Sequence, residues 1–161
     1  MINWSIFSVK YNQREQKAFE DLSYLLFCAE FDNRIGLFRY KNQTGLETEP
    51  IVKDRIVYGF QAKYYTTPIS KNKDDIIDSL QKAKSKNTEL KKILLYTNQE
   101  LSESTKQKRK RPQYQIDIET EAKKLNVGIE WRVPSYFEIQ LSLPENKYIH
   151  DLFFELNPEF R

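Results

Sequence analysis

Apolar and polar residues alternate through YGFQAKYY, residues 58–65. At strand period Tyr58, Phe60, Ala62 and Tyr64 share one face, and Gly59, Gln61, Lys63 and Tyr65 share the other. The first face is expected to be core. The second sets a glutamine beside a lysine in a stretch aromatic enough for the middle of a sheet. Upstream the period changes: over residues 13–31, Ala18, Leu22, Leu25, Leu26 and Ala29 recur at helical spacing with no proline or glycine between them, which predicts a helix. IGLFRYK (35–41) reads as a strand, NQTG (42–45) as a turn, EPIV as the opening of a second strand, and residues 56–65 as a third.

Past Pro68, Ile76, Ile77, Leu80 and Ala83 lie on one helical face, with Asp74 and Asp75 at the end where the helix dipole favours negative charge. KKILLYTN is a short continuous apolar run, the mark of a strand covered on both faces. Pro112 opens a third helix carrying Ile116, Ile118, Ala122 and Leu125; NVGIEWRV returns as a strand, and a last helix runs over residues 147–156. The order helix, three strands, helix, strand, helix, strand, helix predicts an α/β fold with a mixed sheet. An antiparallel hairpin portion comes first, and crossovers then lay parallel strands beside it. No internal repeat is visible, and SESTKQKRKRPQ (102–113) is the one long polar loop.

The 161 residues suffice for one core, so a single domain over residues 1–161 is expected. A net charge of +3 does not by itself imply a polyanionic partner. The single cysteine, Cys28, excludes an internal disulfide and a cysteine-based zinc site, and points to a reducing compartment. The longest apolar run, residues 24–29, is far short of the roughly 20 residues that span a bilayer. The N-terminus lacks the pattern of a secretory signal, so a cytoplasmic protein with no membrane partner is expected.

Gly36, Gly45, Gly59 and Gly128 are too scattered to cradle a phosphate, and no GxxxxGK[ST] is present, which excludes a Walker-type nucleotide hydrolase. The only histidine, His150, lies beside Tyr148 and Phe153 and reads as a packing or exposed residue rather than a catalytic one. What remains is a set of acids around one lysine. Glu47 and Glu49 of GLETEP share a side if that segment is extended, and Glu20 of AFEDL lies on a helical stripe with Tyr24 and Phe27. Unpaired, such charges cost several kcal/mol per ion to bury, so the face is either wet or built for a cation. Hard oxygen ligands suit magnesium or manganese, and a neighbouring lysine can orient water and offset charge growing on a phosphate.

The series AFEDL, GLETEP, YGFQAKYY, on helix, strand entry and central strand, resembles the PD-(D/E)XK nuclease superfamily, and within it the Mrr-type restriction endonuclease branch, where the last motif is often QxK. With EWRVPS added, it is similar to N-terminal nuclease domains of bacterial antiphage STAND NTPases. The resemblance implies an αβββαβ restriction-endonuclease-like core over about residues 13–98, flanked by helices, and a Mg2+- or Mn2+-dependent DNA endonuclease acting in antiphage defence. It implies an excised effector domain whose NTPase sensor region is absent from this chain, with homo-oligomerisation as one way of completing the site. By position it makes Glu20 the helix acid that reaches the metal through water. Glu47 becomes the principal metal ligand, Glu49 the second choice, and the Ala62 carbonyl a further ligand. Gln61 takes the place usually held by an acid, and Lys63 that of the catalytic lysine. Glu47 replaces the usual aspartate, and the neutral Gln61 removes one negative charge from the cation site. A non-catalytic DNA-binding or assembly module that keeps the fold is the alternative.

For DNA contact, Lys106, Lys108, Arg109, Lys110 and Arg111 put five positive charges into six residues, with Lys71, Lys73, Lys82, Lys84 and Lys86 adding to them around the second helix. In a nuclease such charges touch phosphates without reading sequence. Core packing is the expected role of Trp131.

Overall fold

The computed structural model describes residues 2–32, 50–101 and 111–156. The strand expected at 35–41, the turn at 42–45, Glu47, Glu49, and Lys106 to Lys110 of the basic run lie outside the described residues.

Helix α1 (Trp4–Lys10) and helix α2 (Glu15–Glu30) come first. Strand β1 (Ile51–Lys53) pairs antiparallel with β2 (Ile56–Lys63), Lys53 opposite Ile56. The two residues between them, Asp54 and Arg55, have φ of 52° and 67°, the left-handed pair that a two-residue hairpin requires. Helix α3 (Lys73–Lys86), entered through a short 3-10 turn, leads to β3 (Lys92–Thr97), and α4 (Gln113–Lys124) leads to β4 (Gly128–Arg132). Both strands run parallel to β2, giving a four-stranded mixed sheet of order β1-β2-β3-β4. Helices α5 (Pro134–Leu141) and α6 (Lys147–Phe154) follow. The α/β class and mixed sheet expected from the sequence are present. Among the described residues no helix is long and apolar enough to cross a membrane.

The alternation read in YGFQAKYY divides two cores. Phe60, Leu94 and Tyr96 pack with Phe19, Leu22, Leu26 and Phe27 of α2, and with Phe137 and Phe153 of the C-terminal helices. On the opposite face Ile93 and Leu95 meet Ile76, Leu80 and Ala83 of α3 and Ile118 and Ala122 of α4. Residues 93–97 of β3 are buried without a break, as the apolar run predicts for a strand with both faces covered.

Two helices add to the expected order. Helix α1 has seven residues, too few for a period to emerge, and is fixed by Asn3, whose Oδ1 accepts from the N–H of Ser5 (3.0 Å) and Ile6 (3.3 Å). Asn3→Ala should cost about 1 kcal/mol, read from the denaturant midpoint, because two helix-end donors lose their acceptor. Helix α5 starts at Pro134 directly after β4, with no turn signal between them.

Candidate functional site

The face of β2 opposite the first core is covered rather than wet, because α3 lies across it. Three alternate β2-side residues meet two α3 residues one turn apart. Gln61, 0% exposed, donates its amide N–H to the Ser79 carbonyl oxygen (3.1 Å). The Lys63 ammonium donates to Ser79 Oγ at 2.5 Å and lies 3.3 Å from Asp75 Oδ2. The Tyr65 hydroxyl donates to the same Oδ2 at 2.6 Å. The fit is geometric: an i,i+2 step along a strand is about 6.6 Å and an i,i+4 step along a helix about 6 Å, so the two rows stay in register for one turn. The Lys63 side chain is 17% exposed, against 56% for Asp75, so the cluster opens outward on the carboxylate side.

Asp75 and Tyr65 are tuned against each other. Burial pushes the Asp75 carboxyl up, but the Tyr65 hydrogen bond and the Lys63 ammonium together outweigh it and hold the group below its ordinary value. Burial, then the bond to Asp75, push the Tyr65 hydroxyl up. A carboxyl depressed in the folded state stabilises the fold above its unfolded pKa, and that contribution is lost as pH falls through the folded pKa. Wild type should therefore lose denaturant resistance below about pH 4 more steeply than Asp75→Asn. Urea midpoints at pH 5 and pH 3 test this; equal losses in both proteins would contradict it.

The other candidate residues are distributed as follows. Glu20 belongs to α2, on the opposite side of the sheet. It lines a cleft of about 610 Å³ with Arg14, Lys17, Tyr64 and Thr66. That cleft meets β2 at its C-terminal end, so Glu20 and the Lys63 cluster approach one strand end from opposite faces. Ala62 pairs with Tyr96 and packs on the α2 side. Arg111 is ion-paired with Glu119. Trp131 packs against the α3–α4 core and donates its indole N–H to Glu119 (2.8 Å). His150 stacks on Phe154 and bonds Asp151 at 3.0 Å.

Asp75, Ser79 and Tyr65 are the site residues that the sequence reading missed. Their signal was the i,i+4 spacing of Asp75 and Ser79 on a helix whose Ile76 and Leu80 face the sheet. Asp75 had a sufficient explanation as a helix-start acid, which hid its second role. A second cluster was also missed. The Glu30 carboxylate accepts from Tyr96 (2.8 Å) and Tyr136 (2.9 Å) and is ion-paired with Arg132, whose guanidinium stacks 4.9 Å from the Tyr136 ring. Burial lowers and Glu30 raises the Arg132 pKa, the raising influence prevailing. This cluster joins the end of α2 to β3, β4 and α5. A third group, His150, Asp151 and Glu155, brings its nitrogen and oxygen atoms within 4.8 Å of one another, with Asp151 also bonded by Lys147. Comparison with known protein families and with curated proteins found no match.

Proposed function

We propose that this chain is a divalent-metal-dependent DNA endonuclease domain of the PD-(D/E)XK type, with its reaction centre at the C-terminal end of β2. The observation that carries the reading is the fixed ammonium of Lys63, held by Ser79 and Asp75 at a strand end that opens to solvent on its carboxylate side. A lysine side chain with four rotatable carbons is otherwise a mobile point charge, and two bonds to one helical turn restrict it. Its ammonium has three N–H groups. Ser79 and Asp75 take two, which leaves one to donate to a phosphoryl oxygen of bound DNA.

The donor groups fit a hard cation. Of the groups bonded together here the oxygen donors are the Asp75 carboxylate and two hydroxyls; the Lys63 ammonium has no lone pair and ligates nothing, and no thiol or imidazole is among them. Asp75, with Glu47 and Glu49 from the segment outside the described residues, would hold magnesium or manganese. The bound ion would supply Lewis-acid polarisation of the phosphodiester and a more acidic water. The chain's own part is electrostatic: Lys63 offsets the charge that grows on the phosphoryl oxygens, and Tyr65 and Ser79 keep Asp75 and Lys63 in place. Gln61 holds β2 to α3 through Ser79, so the rigidity of the centre begins one layer beneath it.

The neutral, fully buried Gln61 favours a second reading, a DNA-binding module that keeps this architecture without cutting. Incubation with supercoiled plasmid separates the two. A nuclease gives open circles in magnesium or manganese and none in chelator. A binding module shifts the mobility of DNA at low salt and leaves it intact in every metal.

A further inference from the structure

We propose that the opposite edge of the sheet, where β3 and β4 begin, is a docking surface for the phosphate backbone of double-stranded DNA, built from Lys91, Lys123 and Arg111. The topology creates this edge. Helices α3 and α4 each precede a strand parallel to β2, so their C-terminal turns and the first residues of β3 and β4 lie together. The bonds of Gly128 N–H to the Lys91 carbonyl (2.8 Å) and of the Lys84 ammonium to the Leu90 carbonyl (2.8 Å) join them. Lysines suit helix C-termini because they complement the dipole, and that explains Lys84, Lys86, Lys123 and Lys124 singly. It does not explain the excess that is left after pairing.

Among the described residues, Lys17, Lys63, Lys73, Lys82, Lys92, Lys124 and Lys147 each have a carboxylate partner. At this edge Lys92 takes Glu130 and Lys124 takes Glu121. Among the described residues no carboxylate lies within ion-pair distance of Lys91 or Lys123, and both are exposed. They line one concave cleft of about 440 Å³ with Arg111 and Gly128. Its one acid, Glu119, already serves Arg111, the Trp131 indole and Gln115. Burial first, and then the charge of Lys91, lower the Lys84 pKa, as expected where two ammonium groups lie near each other.

The chemistry selects the partner. The cationic groups are lysine and arginine heads on long stems, and the lining apolar residues, Val127 and Ile129, are buried or half-buried, so no apolar side chain projects to enter a lipid layer. No aromatic ring lines the cleft to stack a base, which leaves contact with phosphates, without sequence readout. The surface lies about 17 Å from the Lys63 edge along β3, so it is separate from the reaction centre and does not depend on cutting.

The test is fluorescence anisotropy of a labelled duplex in chelator across a salt series. Lys63→Ala, which removes the one phosphate contact proposed at the reaction centre, should reduce the slope of log affinity against log salt by no more than about 1. Lys91→Gln/Lys123→Gln should reduce the slope by about 2 and weaken binding roughly 50-fold at 0.1 M salt. Lys53→Gln/Lys147→Gln, removing two lysines elsewhere, should leave the slope unchanged. An unaltered slope in the first double variant, an equal loss in the second, or displacement of the duplex by poly-glutamate as readily as by unlabelled DNA would overturn the proposal.

Discussion

Lys63→Ala should slow metal-dependent nicking of plasmid by a factor of about 100 to 1,000 while the protein remains folded. The magnitude follows from the task assigned to the ammonium. A preorganised donor aimed at developing charge contributes about 3 to 4 kcal/mol to the transition state and little to the ground state, so the loss should fall on kcat rather than KM. Retention of the fold follows from the surroundings. The Asp75 carboxylate left behind is 56% exposed and still accepts from Tyr65, so water can solvate it. Lys63→Arg should restore only part of the rate, because a planar guanidinium cannot reproduce the bonds of a tetrahedral ammonium to Ser79 Oγ and Asp75. Circular dichroism and a denaturant midpoint close to wild type establish that the loss is chemical. Nicking at the wild-type rate would remove Lys63 from the mechanism.

Glu30→Ala should have the largest effect on stability, about 3 kcal/mol, with no role in chemistry required. The carboxylate satisfies the hydroxyls of Tyr96 and Tyr136 and the guanidinium of Arg132, and Tyr96 is fully buried. Truncation leaves the buried Tyr96 hydroxyl without its acceptor and leaves the largely buried Arg132 with only its longer contacts, to Glu130 (3.7 Å) and to the Trp131 carbonyl (3.4 Å), and that loss exceeds the worth of the bonds themselves. Replacing both partners should cost less than the first substitution alone: Glu30→Ala/Arg132→Met removes the stranded charge and leaves apolar surface near Tyr136. A double-mutant cycle of urea midpoints measures the difference. Additive losses would show that Glu30 and Arg132 act independently.

The described strands and the longer helices were legible because their patterns are set by burial. β2 alternates since α2 covers one face and α3 the other. β3 reads as unbroken apolar residues because both its faces are covered. Helix α2 shows its period over sixteen residues. Helices α1 and α5 stayed hidden because seven or eight residues give barely two turns, and the signals that start them, Asn3 and Pro134, also occur in loops. Of the site, the sequence indicated Gln61 and Lys63 by placing two polar residues on a strand face that aromatic neighbours mark as central. It did not indicate what faces them. Asp75 and Ser79 are twelve and sixteen positions further on, across a helix start, and a strand period carries no information about which helical turn will cover it. Glu30, Tyr96, Arg132 and Tyr136 come from four elements, and each alone looks like an ordinary amphipathic residue.

The most direct measurement is the fate of supercoiled plasmid incubated with the wild-type protein and with Asp75→Asn, in magnesium, in manganese and in chelator, across protein concentration. The account predicts open circles from wild type in either metal, none in chelator, and strongly reduced conversion by Asp75→Asn at every concentration. Intact plasmid with wild type in both metals, or equal cutting by the two proteins, would contradict it.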